Sequence, residues 1–198
     1  MTTARHALPS DRDAAIEALA EAFSTDPVFT LLFAPDHGPV DHKLMLEAMG
    51  VAYDCFVVNG HTYVLDDAGA ALWSPPGIQT DTEAMSTFFG ERSIPERMET
   101  AFPGFVEMAE CHPDEPHFYL QFVGARRRAQ GTGVGSRLLD RVLRICDDEG
   151  VPAYLEATTS RSAALYARHG FEPLTAITLA EDVSLLPMLR RPDRQDAS

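Results

Sequence analysis

The sequence predicts an α/β fold in which helices cover the faces of a mixed β-sheet. Short apolar runs rich in aromatic and β-branched residues alternate with segments whose apolar residues recur every three or four positions. Glycine, proline and other turn residues separate these segments. Strands and helices in this order form a sheet with helices packed on it. We assign residues 1–190 to one domain, a size that permits a sizeable core, and 191–198 to a polar tail.

The first 110 residues predict mostly helices, together with one hairpin. Ser10 can cap a first helix. Asp26-Pro27 opens a short second helix, because Asp caps well and Pro suits the first helical position. We expect Pro95 and Pro103-Gly104 to interrupt the later helical residues. In chain order, the predicted elements are a weak strand at 5–8, these two helices, a helix at 44–58, a hairpin at 61–73 and helical pieces between 81 and 110.

The second half of the chain predicts strands that alternate with helices. The apolar run at 118–123 is typical of a buried strand. The helix after it has an apolar stripe, formed by Leu138, Leu139, Val142, Leu143 and Cys146. Gly150 is a suitable C-cap for this helix. A strand at 151–157, a helix at 161–168 and a terminal hairpin of 171–179 with 183–189 complete the prediction.

The charge balance and the cysteines limit the expected partners and compartment. The formal net charge of −14 argues against nucleic acid as a partner. Because no signal pattern or long apolar run is present, we expect neither secretion nor a membrane partner. Cys55, Cys111 and Cys146 lack paired spacing, which predicts no disulfide and no metal site. A reducing cytoplasm is the expected compartment.

A glycine-rich turn between the strand at 118–123 and the next helix predicts an anion site. Such a turn exposes unpaired N–H groups at the positive end of a helix dipole, and glycines let a phosphate approach the main chain. The third glycine of a dinucleotide fingerprint and the lysine of a Walker loop are both missing. The turn is Gln130-Gly131-Thr132-Gly133-Val134-Gly135-Ser136.

Positive charge is concentrated around this turn in an otherwise acidic chain. Each arginine singly could belong to a solvated face, but the clustering fits a polyanionic ligand better. The residues are Arg126, Arg127, Arg128, Arg137, Arg141 and Arg144.

Two motifs resemble the GCN5-related N-acetyltransferase (GNAT) family. Gln-x-x-Gly-x-Gly at 130–135 is similar to the family's pyrophosphate loop. Leu-Glu-Ala-Thr at 155–158, followed by Leu-Tyr-Ala-Arg-His-Gly-Phe at 165–171, resembles its second signature. The match is dense over 117–173. The resemblance implies a mostly antiparallel sheet that is split between its fourth and fifth strands, and acetyl-CoA as the acyl donor.

The layout further resembles the puromycin N-acetyltransferase branch of this family. The similar features are the Asp-Pro segment after the first helix, the Asp-Asp-x-Gly hairpin that leads into Trp73, and the stretches 115–120 and 150–156. We carry over no substrate from this likeness.

The resemblance also implies contacts to the cofactor. The pantetheine arm would pair with the end of the fourth strand, and the pyrophosphate would lie on N–H groups of the glycine loop. Ser162 stands where the family often has asparagine, and Arg127 where a proline often leads into the loop. Arg128 could reach a phosphate or face water. The implied cofactor residues are Phe122, Val123, Gly124, Ala125, Arg128, Gln130, Gly131, Thr132, Gly133, Val134, Gly135, Ser136, Ser162 and Tyr166.

Three residues are candidates for proton transfer. The resemblance makes Tyr166 the general acid that protonates the leaving thiolate; core packing beside Phe171 is the alternative. Because the attacking amine must be neutral, a base is expected, and Glu156 and His117 are the candidates. His117 has the more suitable ordinary pKa, about 6.5, but a strand-end histidine with only a structural role is the alternative.

We expect the acceptor pocket to form from the variable parts of the family's layout. Aromatic side chains would bind an apolar body and a carboxylate would steer an amine, although core packing would also explain these residues. The candidates are Phe23, Asp26, Phe29 and Trp73, with the segment 81–110.

The sequence therefore predicts a monomeric or homodimeric enzyme that transfers acetyl from acetyl-CoA to a primary amine of a small molecule, by direct attack in a ternary complex. No cysteine falls in either motif, so a covalent acetyl-enzyme has no evident nucleophile. Transfer of another acyl group, transfer to a peptide or protein amine, and a non-catalytic acyl-CoA sensor remain open alternatives.

Overall fold

The computed structural model describes residues 3–193, in which α-helices flank an eight-stranded sheet. The helices are α1 (Arg12–Phe23), α2 (Pro27–Phe33), α3 (His42–Val57), α4 (Glu83–Arg92), α5 (Pro95–Glu110), α6 (Val134–Glu149) and α7 (Ser160–Ala167). The strands are β1 (Arg5–His6), β2 (Thr62–Leu65), β3 (Gly69–Ser74), β4 (Phe118–Ala125), β5 (Ala153–Ala157), β6 (Glu172–Pro173), β7 (Ile177–Ala180) and β8 (Val183–Arg190).

The sheet is mixed and mostly antiparallel, which confirms the predicted fold class. Its strand order is β1-β2-β3-β4-β5-β8-β6, and β7 pairs with β8. Within the described residues, only β4 and β5 run parallel to each other.

The sheet is split between β4 and β5. The two strands pair at three positions, from Phe118 opposite Ala153 to Leu120 opposite Leu155. Beyond Leu120, β4 pairs only with β3, while β5 pairs only with β8. Residues 121–125 of β4 therefore present backbone N–H and C=O groups toward a gap in the sheet, because these groups have no partner strand on that side.

The two faces of the sheet carry separate hydrophobic cores. Helices α1, α2 and α3 pack on one face, where Phe122 of β4 lies, and α4 and α5 extend this core. Helix α6 packs on the other face, where Trp73 and Tyr166 lie. Because alternate residues of a strand point to opposite faces, neighbours in β3 belong to different cores.

Three predicted local features are wrong or incomplete. Helix α1 begins after a 3-10 turn, so that Asp11 rather than Ser10 occupies its N-cap. Pro103 does not interrupt α5. A Cβ on Gly104 would lie 2.6 Å from the carbonyl oxygen of Thr178, which shows that this glycine allows α5 to pack closely on β7.

The C-terminal hairpin contains two short strands, β6 and β7, that both pair with β8. The part of the predicted tail that follows Asp193 lies outside the described residues.

Candidate active site

The glycine loop has the geometry of an anion site. Gly131 and Gly133 have φ of 78° and 84°, a left-handed conformation that glycine adopts without strain. Gly133 is the N-cap of α6, and the amide of Arg137 donates the first bond of the helix to the Gly133 carbonyl at 3.1 Å. The N–H groups of residues 134–136 therefore have no acceptor within the helix and point out at its positive end.

The cradle is narrow and one of its hydroxyl groups is held in place. A Cβ on Gly135 would lie 3.1 Å from Cδ2 of Leu165 in α7. The hydroxyl of Ser136 lies 3.0 Å from Nε2 of His169, and Nδ1 of His169 lies 3.2 Å from Asp140. The sequence suggested no partner for His169, because Ser136 lies 33 residues earlier in the chain.

Two of the three arginines that precede the loop are paired with nearby carboxylates: Arg126 lies 2.6 Å from Glu21, and Arg128 pairs with Asp67. Arg127 lines the cavity described below; its main-chain amide donates to Glu21 at 2.8 Å, and its guanidinium donates to the Ser24 hydroxyl at 3.0 Å. Arg128 does not line the cavity described below.

Two further arginines, which the sequence did not single out, also line this cavity. They are Arg161, which lies in α7, and Arg168, which is the C-cap of α7. Arg161 lies 3.5 Å from the Gln130 side chain, whose amide nitrogen donates to the Ala125 carbonyl at 3.3 Å. This network ties α7 to the glycine loop and to the end of β4.

One cavity of about 1390 Å³ joins the glycine loop to an apolar chamber. The free half of β4 lies between the two. Toward the loop, the cavity is lined by Gln130, Gly131, Gly133, Val134, Gly135, Ser136 and Ser162. Toward the chamber, it is lined by Phe23, Phe29, Met85, Phe89, Met98, Phe102, Phe105 and Met108. Helices α4 and α5, the segment expected at an acceptor pocket, thus form one wall.

Glu156 lines this cavity and is almost completely buried. Its side chain is 7% exposed. Oε2 accepts a hydrogen bond of 2.9 Å from the Tyr119 hydroxyl, whereas Oε1 has no hydrogen-bond partner within residues 3–193. Burial raises the pKa of Glu156 to about 7, although the hydroxyl groups of Tyr119 and Tyr154 beside the carboxylate oppose the shift. A carboxylate with this pKa can exchange protons near neutrality.

Tyr166 of α7 also lines the cavity. The residue is 7% exposed, and its ring lies 6.0 Å from that of Phe171. Within residues 3–193 its hydroxyl makes no hydrogen bond. Burial, and then the nearby carboxyl groups of Asp26 and Glu156, raise the pKa of Tyr166 above the ordinary tyrosine value. The phenol therefore stays protonated and can donate.

Asp26 lines the cavity but already has partners. Its Oδ1 accepts a hydrogen bond from the Val28 amide at 2.9 Å, so that it caps α2, and Thr158 donates to its Oδ2. Burial raises the pKa of Asp26. The structure thus gives this residue a capping role in addition to the amine-steering role expected from the sequence.

Three further predicted site residues lie outside the cavity. Trp73 is 0% exposed and belongs to the core beneath α6, so we do not retain it as an acceptor contact. His117 does not line the cavity either; it contacts His112, which in turn lies beside Glu156. Thr132 donates to the Ala129 carbonyl and does not line the cavity.

Comparison with known proteins identifies the class of enzyme. Residues 74–171 match the model of the Acetyltransferase (GNAT) family. An uncharacterized N-acetyltransferase of Schizosaccharomyces pombe is 28% identical, over 93% of this chain and 81% of that protein. With the split sheet and the glycine loop, these matches show an acetyltransferase of the GNAT type.

Solved structures agree with this assignment. A structure described as histone acetyltransferase HPA2 and related acetyltransferase, from Corynebacterium glutamicum, has a TM-score of 0.72 and 29% identity, and the match covers 99% of both chains. Arylalkylamine N-acetyltransferase 2 from Aedes aegypti shares the fold, with a TM-score of 0.61, 14% identity and coverage of 96% of this chain and 98% of that one. Within the described residues, every helix is too short or too polar to cross a membrane.

Proposed function

We propose that the protein transfers the acetyl group of acetyl-CoA to the primary amine of a small molecule with an apolar body, by direct attack in a ternary complex. The observation that carries this proposal is the single cavity that joins an anion cradle to an apolar chamber and contains Glu156 and Tyr166. The likeness to the puromycin N-acetyltransferase branch and the cytoplasmic location belong to this proposal and rest on the sequence alone.

The donor half of the cavity fits coenzyme A. The free N–H groups of residues 134–136 suit the pyrophosphate, and Arg161 adds a positive charge at the same end. Residues 121–124 of β4 offer free main-chain groups, with which the amide-rich pantetheine arm can pair like an added strand. When bound, the donor supplies the acetyl thioester.

The acceptor half favours an apolar molecule with one amine. Phenylalanine and methionine side chains of α4 and α5 form most of its wall, and apolar burial drives binding there. Glu156 is the carboxylate that this chamber offers to an amine, because only one of its oxygens is hydrogen-bonded. Both oxygens of Asp26, in contrast, already have hydrogen-bond partners. A polyamine would leave further charges without partners against these apolar walls.

Two side chains move the protons of the reaction. Glu156 takes a proton from the amine nitrogen, which must present its lone pair to the acetyl carbon. Tyr166 donates its phenolic proton to the leaving sulfur. The split of the two pKa values, with Glu156 near neutrality and Tyr166 above its ordinary range, suits a base and an acid in one site.

A protein or peptide amine is the second candidate acceptor. Phe102 of α5 is 59% exposed although it lines the cavity, so the chamber opens to the surface beside an apolar residue, and a lysine side chain could enter there. The Corynebacterium structure is described as a histone acetyltransferase.

Thiol release from acetyl-CoA separates these functions. We expect turnover with amines that carry an aromatic or alkyl body, and slower turnover with diamines and lysine peptides. Faster turnover with the peptides would establish the second candidate. Binding of acetyl-CoA without turnover on any of these amines would identify an acyl-CoA sensor, and the same assay with longer acyl-CoA donors tests the acyl group.

Blocking the cradle should weaken cofactor binding. A valine at position 133 or 135 places a branched side chain where the phosphate would approach the main chain. We expect Gly133→Val and Gly135→Val each to weaken binding of acetyl-CoA by roughly tenfold or more, about 1.4 kcal/mol, in calorimetry. Gly60→Val is the matched control for position 133, because Gly60 has a φ of 76° and lies outside the cavity. Equal weakening in the control would attribute the effect to backbone strain.

The charge of Arg161 should contribute to cofactor affinity. Arg161 lines the cavity beside the loop, whereas Arg128 is paired with Asp67 outside it. We expect Arg161→Gln to weaken acetyl-CoA binding by a few-fold and to make its salt dependence shallower, since one ionic contact is lost. Arg128→Gln should change neither quantity. The reverse order of effects would place the phosphates near Arg128.

A further inference from the structure

A chain of polar contacts leads from Glu156 to the protein surface outside the cavity. Oε1 of Glu156 lies 3.6 Å from Nε2 of His112. Nδ1 of His112 lies 3.3 Å from Nε2 of His117, and Nδ1 of His117 lies 2.8 Å from the carbonyl oxygen of Glu115. His112 follows α5 and His117 precedes β4, where its ring is half-buried. Neither histidine lines the cavity.

The end of this chain fixes its hydrogen-bond direction when both rings are neutral. A carbonyl oxygen only accepts, so Nδ1 of His117 carries the proton that it donates to Glu115. Nε2 of His117 then has a lone pair and accepts from Nδ1–H of His112. Consequently Nε2 of His112 turns a lone pair toward Oε1 of Glu156, which has no hydrogen-bond partner within the described residues. The chain is thus oriented to accept a proton from Glu156.

The reaction produces a proton that has to leave. An ammonium acceptor loses two protons as it becomes an amide N–H, and the leaving sulfur takes up one of them. One net proton therefore remains at each turnover. The donor and the acceptor together occupy the cavity at that moment, which limits exit through cavity water.

We propose that His112 and His117 form a relay that carries this proton from Glu156 to bulk water. The inference rests on the proposed function, in which Glu156 is the base. Glu156 passes the proton from Oε1 to Nε2 of His112. His112 passes its Nδ1 proton to Nε2 of His117, and the His117 cation releases a proton to water. Ring rotation and exchange with water restore the first tautomers. The 3.6 Å contact is longer than a hydrogen bond, so the first step needs a sub-ångström approach.

The surroundings of His112 suit a transient carrier. Its ring packs on Tyr119 of β4 and Tyr154 of β5, with centroids 4.6 and 4.7 Å away. Burial, and then His117, lower the pKa of His112 to about 4, so that His112 does not retain the proton. The hydroxyl groups of Tyr119 and Tyr154 interact with the Glu156 carboxylate. The other charged or titratable groups here are Cys111 beside Tyr154, and Arg191, which pairs with Glu115.

Nitrogen NMR of isotope-labelled histidine side chains tests the relay without any turnover. At neutral pH or slightly above we expect both His112 and His117 in the Nδ1–H form, assigned with His112→Gln and His117→Gln. Isolated neutral histidines in the same spectra provide the reference. Either ring in the Nε2–H form would overturn the relay, whether or not the protein acetylates the amines of the panel.

Kinetics of the same variants give the second test. At saturating acetyl-CoA and acceptor, His117→Gln should lower kcat by roughly tenfold and leave both KM values nearly unchanged, because His117 touches neither substrate. Added imidazole or a concentrated small buffer should restore part of the loss. His42→Gln, at an exposed ion pair with Glu17, is the control. A His117→Gln enzyme with the parent kcat at every pH and buffer concentration would refute the relay.

Discussion

Glu156→Gln is expected to lower kcat/KM for the amine by roughly 10²–10⁴-fold above neutral pH. The amide keeps the size of the side chain and can still accept the hydrogen bond from Tyr119, but it cannot take up a proton. In the parent enzyme, kcat/KM should rise with pH through the pKa of Glu156, about 7. This limb should vanish in the variant, and any remaining rise should follow the pKa of the acceptor amine.

The same substitution should not destabilise the protein, which separates chemistry from folding. The folded-state pKa of Glu156 lies above the ordinary carboxyl value, so its favourable contribution to stability is complete below that ordinary value and is lost as pH rises through about 7. Glu156→Gln removes this cost of ionisation. Its melting temperature should therefore equal that of the parent in acid and exceed it above pH 7. Full activity with a parental pH profile would exclude Glu156 as the base, and Glu172→Gln on exposed β6 is the control.

The sequence predicted those features that short stretches of chain determine. The loop at 130–136 and helix α6 were predictable because glycine conformation and apolar periodicity are local properties. The cap at Asp26 was predictable for the same reason. The residues of β4 themselves indicate only an ordinary strand. The split between β4 and β5 was therefore predicted from the family resemblance and not from these residues.

The features that the sequence did not predict depend on residues far apart in the chain. The arginine cluster carries less free charge than the sequence suggests, because Glu21 and Asp67 pair with Arg126 and Arg128. Trp73 was expected in the acceptor pocket, but the face that a strand residue points to depends on register.

The pKa of Glu156 depends on burial and on Tyr119, which lies on another strand. A carboxylate in a strand motif gives no sign of such an environment.

His117 was predicted as a candidate base in the active site, but the structure places it elsewhere. Its ordinary pKa made it a candidate base, yet it does not line the cavity. His112, which follows the last predicted helical piece, lies between His117 and Glu156. The turn that brings the end of α5 back to the start of β4 creates this arrangement, and no periodicity in the sequence indicates it.

Tyr166→Phe should lower kcat by roughly 10²–10⁴-fold and change the Michaelis constants far less, because proton donation to the leaving sulfur strengthens mainly in the transition state. The ring contact with Phe171 is retained, and the lost hydroxyl makes no hydrogen bond within residues 3–193. The melting temperature should therefore stay near that of the parent. Thiol release at saturating substrates, together with thermal unfolding, checks both expectations.

A donor with a more acidic thiol distinguishes acid catalysis from packing in this variant. Such a thiol needs less protonation as it leaves, so an activated thioester should recover part of the activity of Tyr166→Phe and change the parent rate much less. A Tyr166→Phe protein with the parent kcat would make Tyr166 a core residue only. An equal loss with the ordinary and the activated donor, at an unchanged melting temperature, would show that the hydroxyl positions a substrate and does not protonate the sulfur.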